Sequence, residues 1–313
     1  MRKHFSVVAF GMATLTAGAT SAQDMPDSLT IMSGAQGGSW YGMGAGLSQL
    51  FIEQGVRTSP EVGGGISNVA MVATGRAPMG FSMTIVPRMA RLGMAPFDQA
   101  YENVYAIAQL APSVVHIVVS EESDVDTVAD LAGKPFATQP VGNVTTEAFK
   151  AVLAANGLSE DDLELTRGNQ GFGASEMKDR RIAGYTATTS YPSPSFADVS
   201  QSLDVKFLPI SDETFAALKE ENPGFSRDVI PAGTYNGQDE DVPTANTAMV
   251  IVTSDQVSDD HAYFIAKTLG DNIETLRTIH ASWADLTVED LAGVNGVDLH
   301  PGAARYYREV GAL

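Results

Sequence analysis

Along this chain, short apolar runs alternate with segments whose apolar positions recur every three or four residues, the pattern of an α/β protein. "SLTIMS" (Ser28 to Ser33) predicts a strand, "YGMGAGLSQLFIEQG" the helix after it, and "APMGFSM" (Ala77 to Met83) a further strand. "VYAIAQLAPSVVHIVVS" (Val104 to Ser120) holds two strand-like runs broken at Pro112, where the chain is expected to cross into a second lobe. "VADLAGKPFATQPVGNVTTEAFKAVLAANG" then predicts helix, strand, loop and helix, and "VKFLPIS" (Val205 to Ser211) the return strand. "TAMVIVTSDQVSDDHAYFIAKTLGDNIETL" predicts a strand and a long helix closing the first lobe. The expected division is residues 23–112 with 212–313 as lobe one and 113–211 as lobe two. No repeat of the roughly 20 to 50 residues that mark a solenoid is present.

The first residues change the picture from a domain to an exported domain. Arg2 and Lys3 precede an apolar and small-residue run from Phe5 to Ala19, and Thr20 and Ala22 suit cleavage before Gln23. Residues 1–22 therefore read as a secretory signal peptide, which places the mature chain in the periplasm. No later run reaches the roughly 18 apolar residues of a membrane span. The chain has no cysteine, so disulfides, thiol nucleophiles and Cys-ligated zinc are excluded, and the fold must rest on its 44% hydrophobic residues. With 38 acidic against 19 basic side chains, a formal charge of −19, nucleic acid and anionic lipid would be repelled.

Four segments break this acidic background. Gly34 to Ser39, Gly63 to Asn68, Pro140 to Thr146 and Thr186 to Ser195 are uncharged and rich in Gly, Ser, Thr or Asn, and the first three precede predicted helices. A helix start exposes unpaired N–H groups and the positive end of its dipole, and glycine lets a ligand approach the backbone. Such loops bind anions without a formal counter-charge. Ser39, Ser67 and Thr145 are equally ordinary N-cap residues, so a single loop could be no more than a tight turn. Several in one α/β chain point to a ligand cleft, because ligands gather at loop ends in open sheets. Trp40, Tyr41, Phe172, Tyr185 and Tyr191 are candidates for its walls.

Catalytic patterns are sparse. "SEMK" (Ser175 to Lys178) has the Ser-x-x-Lys spacing of penicillin-binding enzymes without the partner elements that chemistry needs, and reads as a helix surface. His116, His261, His280 and His300 are too scattered for a metal site at helical spacing. Acid pairs such as Asp161/Asp162 and Asp259/Asp260 follow serines and read as helix caps. "GQDEDVP" reads as a solvated turn because it lacks the spaced ligands of a calcium loop. Neither enzyme activity nor a cofactor is expected.

Taken together, "GAQGGSWYGMGAGLSQLF", "EVGGGISNVAMVATGRA", "VADLAGKPFATQPVGNVTTEAF", "IPAGTYNGQDEDVPT" and "LHPGAARYYREVG" resemble, in order and spacing, the TAXI-type solute receptors of TRAP transporters. The likeness runs over nearly the whole mature chain. It implies a two-lobed type II periplasmic binding protein fold with a ligand cleft between the lobes. It also implies a monomer that delivers glutamate, 2-oxoglutarate or a related carboxylate to a TRAP permease. A receptor for an ABC importer or a sensor kinase is the alternative, with a serine hydrolase built on Ser175 and Lys178 as the distant third.

The resemblance carries ligand contacts onto Gly38, Ser39 and Tyr41; onto Gly64, Gly65 and Asn68; and onto Gly142, Asn143, Val144 and Thr145, while Gly37, Trp40 and Ser67 are read as ligand contacts from the loops themselves. Met83, Thr84, Thr189 and Tyr191 complete the expected ligand-binding set. Several positions depart from the family pattern: Met83 where Gln is frequent, Pro78 where an acidic residue is usual, Asn143-Val144 within the usual Gly-Ser-Gly-Thr, and Ala183-Gly184 for the usual Asp-Ala. These departures bear on the identity of the ligand.

Overall fold

A computed structural model describes residues 25–34, 36 and 39–313. The signal-peptide reading and the expected contacts of Gly37 and Gly38 lie outside the described residues.

The strands, in chain order, are β1 (Ser28–Met32), β2 (Arg57–Glu61), β3 (Met79–Met83), β4 (Val104–Gln109), β5 (Val114–Ser120), β6 (Pro135–Thr138), β7 (Glu164–Arg167), β8 (Gly184–Thr189), β9 (Val205–Phe207), β10 (Ser226–Ile230), β11 (Val242–Asn246) and β12 (Met249–Ser254). They form two sheets. The first runs β2-β1-β3-β12-β4; the second runs β10-β11-β5-β8-β6-β7, with β9 also paired to β5. β1 lies parallel to β2 and β3, while β12 runs antiparallel to β3 and β4. Every residue of β3 and of β12 is buried, as expected of central strands covered on both faces.

The helices that bear on the cleft are α1 (Ser39–Glu53), α2 (Gly65–Ala73), α3 (Val86–Leu92), α4 (Val144–Ala155), α5 (Gln170–Lys178), α6 (Pro194–Ser202) and α7 (Asp212–Glu221). α1 buries Leu47, Leu50 and Phe51 against the first sheet. Gly44 brings its start close to β1, since a Cβ there would stand 2.0 Å from Ser33 Oγ. Lobe two is built the same way: α4 buries Phe149, Val152 and Leu153.

The two-lobed α/β architecture is the one expected, but the second sheet takes more of the chain. β9, read as the return strand, pairs with β5, and β10 and β11 extend the same sheet. The chain thus does not rejoin the first sheet at residue 212; it rejoins at β12, and α7 packs on α4 of the second lobe. The segment Val128–Leu131, read as a helix, is a single 3₁₀ turn held by a Thr127/Asp130 capping box. Two short crossings join the lobes side by side. Leu110 N–H donates to Met249 O (2.7 Å), Met249 N–H to Ala111 O (2.8 Å), Thr247 N–H to Ser113 O (2.9 Å), and Ser113 N–H to the Asn246 side chain (2.9 Å).

Candidate functional site

Between the lobes lies a cavity of about 350 Å³ whose walls come from both. Lobe one supplies Gly34, Ser39, Trp40, Gly63, Gly64, Gly65 and Met83; lobe two supplies Gln139, Gly142, Asn143, Val144, Thr145, Gln170 and Thr188. A second cavity of about 320 Å³ continues from it toward the crossings, sharing Ser39, Trp40, Met83, Gln170 and Thr188. It adds Met43, Ala111, Pro112, Thr189, Pro192, Pro194, Met249 and His280 among others. Among the described residues, no Asp, Glu, Lys or Arg lines either space.

The first turns of α1, α2, α4 and α5 all border this cleft, so four helix dipoles present their positive ends to one volume. The starts of α2, α4 and α5 are anchored from below. Asn68 is fully buried: its Nδ2 donates to the carbonyls of Met32 (3.0 Å), Ser33 (2.8 Å) and Phe81 (2.8 Å), and its Oδ1 accepts from Gly64 N–H (3.0 Å). One side chain thereby ties the ends of β1 and β3 to the entry of α2. Ser82 Oγ adds a bond to Gly65 O (2.8 Å). Gly64 caps α2 without a side-chain hydrogen bond.

On the facing lobe, Asn143 Oδ1 accepts from Thr145 N–H (2.9 Å), and Thr146 Oγ1 donates to Gln139 O (2.8 Å). Thr145 Oγ1 accepts from Thr188 N–H (3.1 Å), which joins the start of α4 to the end of β8. Gln170 Oε1 accepts from Ser195 Oγ (3.1 Å) and Ser193 Oγ (3.3 Å), fixing the start of α5 against that of α6. Thr188 Oγ1 is the exception: it is buried, borders both cavities and has no hydrogen-bond partner. A buried hydroxyl left unpaired costs about 1–3 kcal/mol, so its place at the cleft wall makes it a candidate ligand contact.

Behind Ser193 lies a buried polar chain. Ser193 N–H donates to Tyr235 Oη (3.0 Å), Tyr235 Oη–H to His116 Nε2 (2.9 Å), and His116 Nδ1–H to Val114 O (3.1 Å), an assignment in which every group has one role. The imidazole stacks on Phe196 at 4.5 Å. Burial lowers its pKa from 6.5 to about 4, and burial pushes the Tyr235 hydroxyl up to about 12.

Of the expected ligand residues, the structure brings together Ser39, Trp40, Gly64, Gly65, Met83, Gly142, Asn143, Val144 and Thr145 around the first cavity, and Thr189 at the second. Others stand elsewhere. Asn68 spends all its polar capacity on the backbone. Thr84 is buried with Oγ1 donating to Gly224 O (2.6 Å), part of a contact between α3 and the end of α7. Ser67 is exposed and bonds back to Gly64 O (3.0 Å), and Tyr41 is half-buried and lines neither cavity. Tyr191 borders a separate space behind the crossings, with Gln109, Asn246 and Asp285.

Gln139 and Gln170 line the cleft without having been singled out in the sequence, and Thr188 was included only within the neutral segment Thr186 to Ser195. The available signal was position: Gln139 and Thr188 sit at the carboxyl ends of β6 and β8, where open α/β sheets meet ligands. Ser175 is exposed on α5 and Lys178 is paired with Asp198 (2.5 Å), both outside the cleft lining. A further cavity of about 460 Å³ on lobe two carries Arg180 and Arg181, but these cations already pair with Glu122, Glu176 and Asp179.

The chain matches the model of the NMT1-like family over residues 31–311. Among solved structures it is similar to XAC2383 from Xanthomonas citri bound to chloride ion, with a TM-score of 0.54 at 11% identity, covering 92% of this chain and 97% of that one. It is also similar to an ancestral arginine-binding protein bound to arginine, with a TM-score of 0.50 at 14% identity and 83% and 99% coverage. The periplasmic aliphatic sulphonate binding protein SsuA from Escherichia coli follows at a TM-score of 0.48, 17% identity, and 91% and 88% coverage.

Proposed function

Since this chain belongs to the NMT1-like family and has the two-lobed fold of solute-binding proteins, we propose that it is a non-catalytic periplasmic receptor. It traps a small organic anion between its lobes and hands it to a membrane importer. The observation that carries this reading is the meeting of four helix starts around a cleft where no Asp, Glu, Lys or Arg stands among the described residues, in a protein whose formal charge is −19. An acidic surface would repel an anion at long range, whereas oriented backbone N–H groups and helix dipoles attract it within the cleft.

Two importer classes fit such a receptor. The TRAP permease rests on the resemblance of the glycine-rich loops to TAXI receptors. The ABC importer gains from the departures at Met83 and Asn143-Val144, which remove parts of that resemblance at the cleft. Uptake by intact cells separates them: an ABC route fails when ATP is depleted with the ion gradient maintained, and a TRAP route fails when the gradient is collapsed.

For the receptor itself, a melting screen of the purified mature chain against carboxylates, keto acids, amino acids and sulfonates is the direct test. Saturation at about 100 times the dissociation constant should add about 2.7 kcal/mol of stability. No shift with any anion, together with turnover of a substrate, would refute the receptor reading.

A further inference from the structure

The two cavities share Ser39, Trp40, Met83, Gln170 and Thr188, so one occupant can extend from the outer into the inner. The outer cavity is bordered by Gly63, Gly64, Gly65 and Gly142 at the starts of α2 and α4, where backbone N–H groups can meet an oxyanion. The inner cavity is walled largely by neutral polar side chains, and their hydrogen bonds divide them into two groups. One group is engaged within the protein: Ser190 Oγ donates to Pro112 O (3.1 Å) and Ser193 Oγ to Gln170 Oε1 (3.3 Å), while His280 Nδ1 accepts from Ser282 N–H (3.2 Å). The other group is unspent. Thr188 Oγ1 has no partner although the residue is more than nine-tenths buried. Ser113 Oγ, Thr189 Oγ1, Gln170 Nε2 and His280 Nε2 also have no hydrogen-bond partner among the described residues, nor has the Gln139 side chain in the outer cavity.

We infer that the cleft takes a polyhydroxylated monocarboxylate, a sugar acid, with its carboxylate at the glycine-bordered outer cavity and its hydroxyls along the inner one. The inference rests on the anion-receptor reading above and narrows it to a substrate class. A ligand hydroxyl is both donor and acceptor, so it pairs either way round with the hydroxyls of Ser113, Thr188 and Thr189, and it accepts from the Gln170 amide. An alkyl body in the same place would displace water from these groups and leave them unpaired, which a buried polar group tolerates poorly. A second carboxylate or an ammonium group would find hydrogen bonds but no Asp, Glu, Lys or Arg of opposite charge among the described lining residues. Hydroxyls need no counter-charge.

Calorimetric titration of the purified mature chain can hold the six-carbon skeleton fixed and vary only its groups. Gluconate, galactonate and galacturonate carry carboxylate and hydroxyls, hexanoate carries the carboxylate alone, and glucitol the hydroxyls alone; glutarate and glutamate add a second charge. At least one sugar acid should bind about hundredfold or more tighter than hexanoate, because a site built to pair hydroxyls rejects the analogue that lacks them. Glucitol should bind about hundredfold more weakly than that acid, having lost the hydrogen bonds to a charged group. Thr189→Val and Ser113→Ala each remove one unspent hydroxyl, and each should weaken the sugar acid about fivefold while the unliganded melting temperature holds.

If hexanoate, glutarate or glutamate binds as tightly as the best sugar acid, or if neither variant weakens that acid, this inference is overturned while the receptor reading stands. Glucitol binding as tightly as the best sugar acid would overturn the anion reading along with it. If no compound of the series and no anion of the melting screen binds, both fall.

Discussion

Thr188 and Asn68 are both buried polar residues near the cleft, and their hydrogen bonds assign them opposite tasks. Asn68 saturates its amide on Met32, Ser33, Phe81 and Gly64, so it builds the site without facing it. Thr188 leaves its hydroxyl unpaired on the cleft wall. Thr188→Val, of nearly equal volume, should therefore keep the melting temperature and weaken anion binding. The loss should be about tenfold or more, since a hydrogen bond to a charged group contributes about 1.5–3 kcal/mol. Asn68→Ala should do the reverse, lowering stability by about 3 kcal/mol as three buried carbonyls and one N–H lose a partner. Urea denaturation and calorimetry on the two variants decide the matter; equal losses in stability and affinity for both would contradict this division.

At the scale of elements, the cleft depends on how closely α2 and α4 approach across it. Gly65 opens α2, and a Cβ built there would stand 2.8 Å from Val144 Cγ2 on the opposite lobe. Contact this close leaves no room for a methyl group when the lobes are together. Gly65→Ala should consequently leave each lobe folded, with an unchanged melting temperature without ligand, and weaken the anion about tenfold, since relieving such overpacking costs about 1–3 kcal/mol. Combining it with Val144→Ala removes the opposing methyl and should recover most of the affinity; a purely additive pair would mean the two residues do not meet in the bound state.

For the whole molecule, acid is the informative perturbation. His116 is neutral in the fold with its pKa lowered to about 4, whereas in the unfolded chain it titrates near 6.5. As pH falls below 6.5 the unfolded chain takes up a proton that the folded one refuses. The stability from this group is thus complete above pH 6.5 and lost progressively down to about pH 4, a change of roughly 3 kcal/mol. His300, also lowered by burial, acts in the same sense. The lowered carboxyls of Asp130, Asp162 and Glu176 titrate further down, and the two aspartates are solvent-exposed. Denaturation midpoints at pH 7.5, 5.5 and 4.5 should show this decline, and His116→Gln should flatten it; a parallel decline in the variant would place the proton uptake elsewhere.

The sequence alone determined the α/β class, the two lobes and the neutral loops ahead of helices, because periodicity, caps and glycine act between neighbours along the chain. Tertiary structure decided what depends on distant partners. β10 and β11 join the second sheet through pairing that leads from Ser226 to Val114, so the chain returns to the first sheet only at β12. Asn68 becomes a brace rather than a ligand contact because carbonyls 35 and 36 residues away lie within its reach. Thr188 and Gln170 become cleft walls because β8 and α5 deliver them opposite Trp40 and Met83. A loop's composition can be read from its own residues, but the direction each side chain faces is set by what the folded chain packs against it.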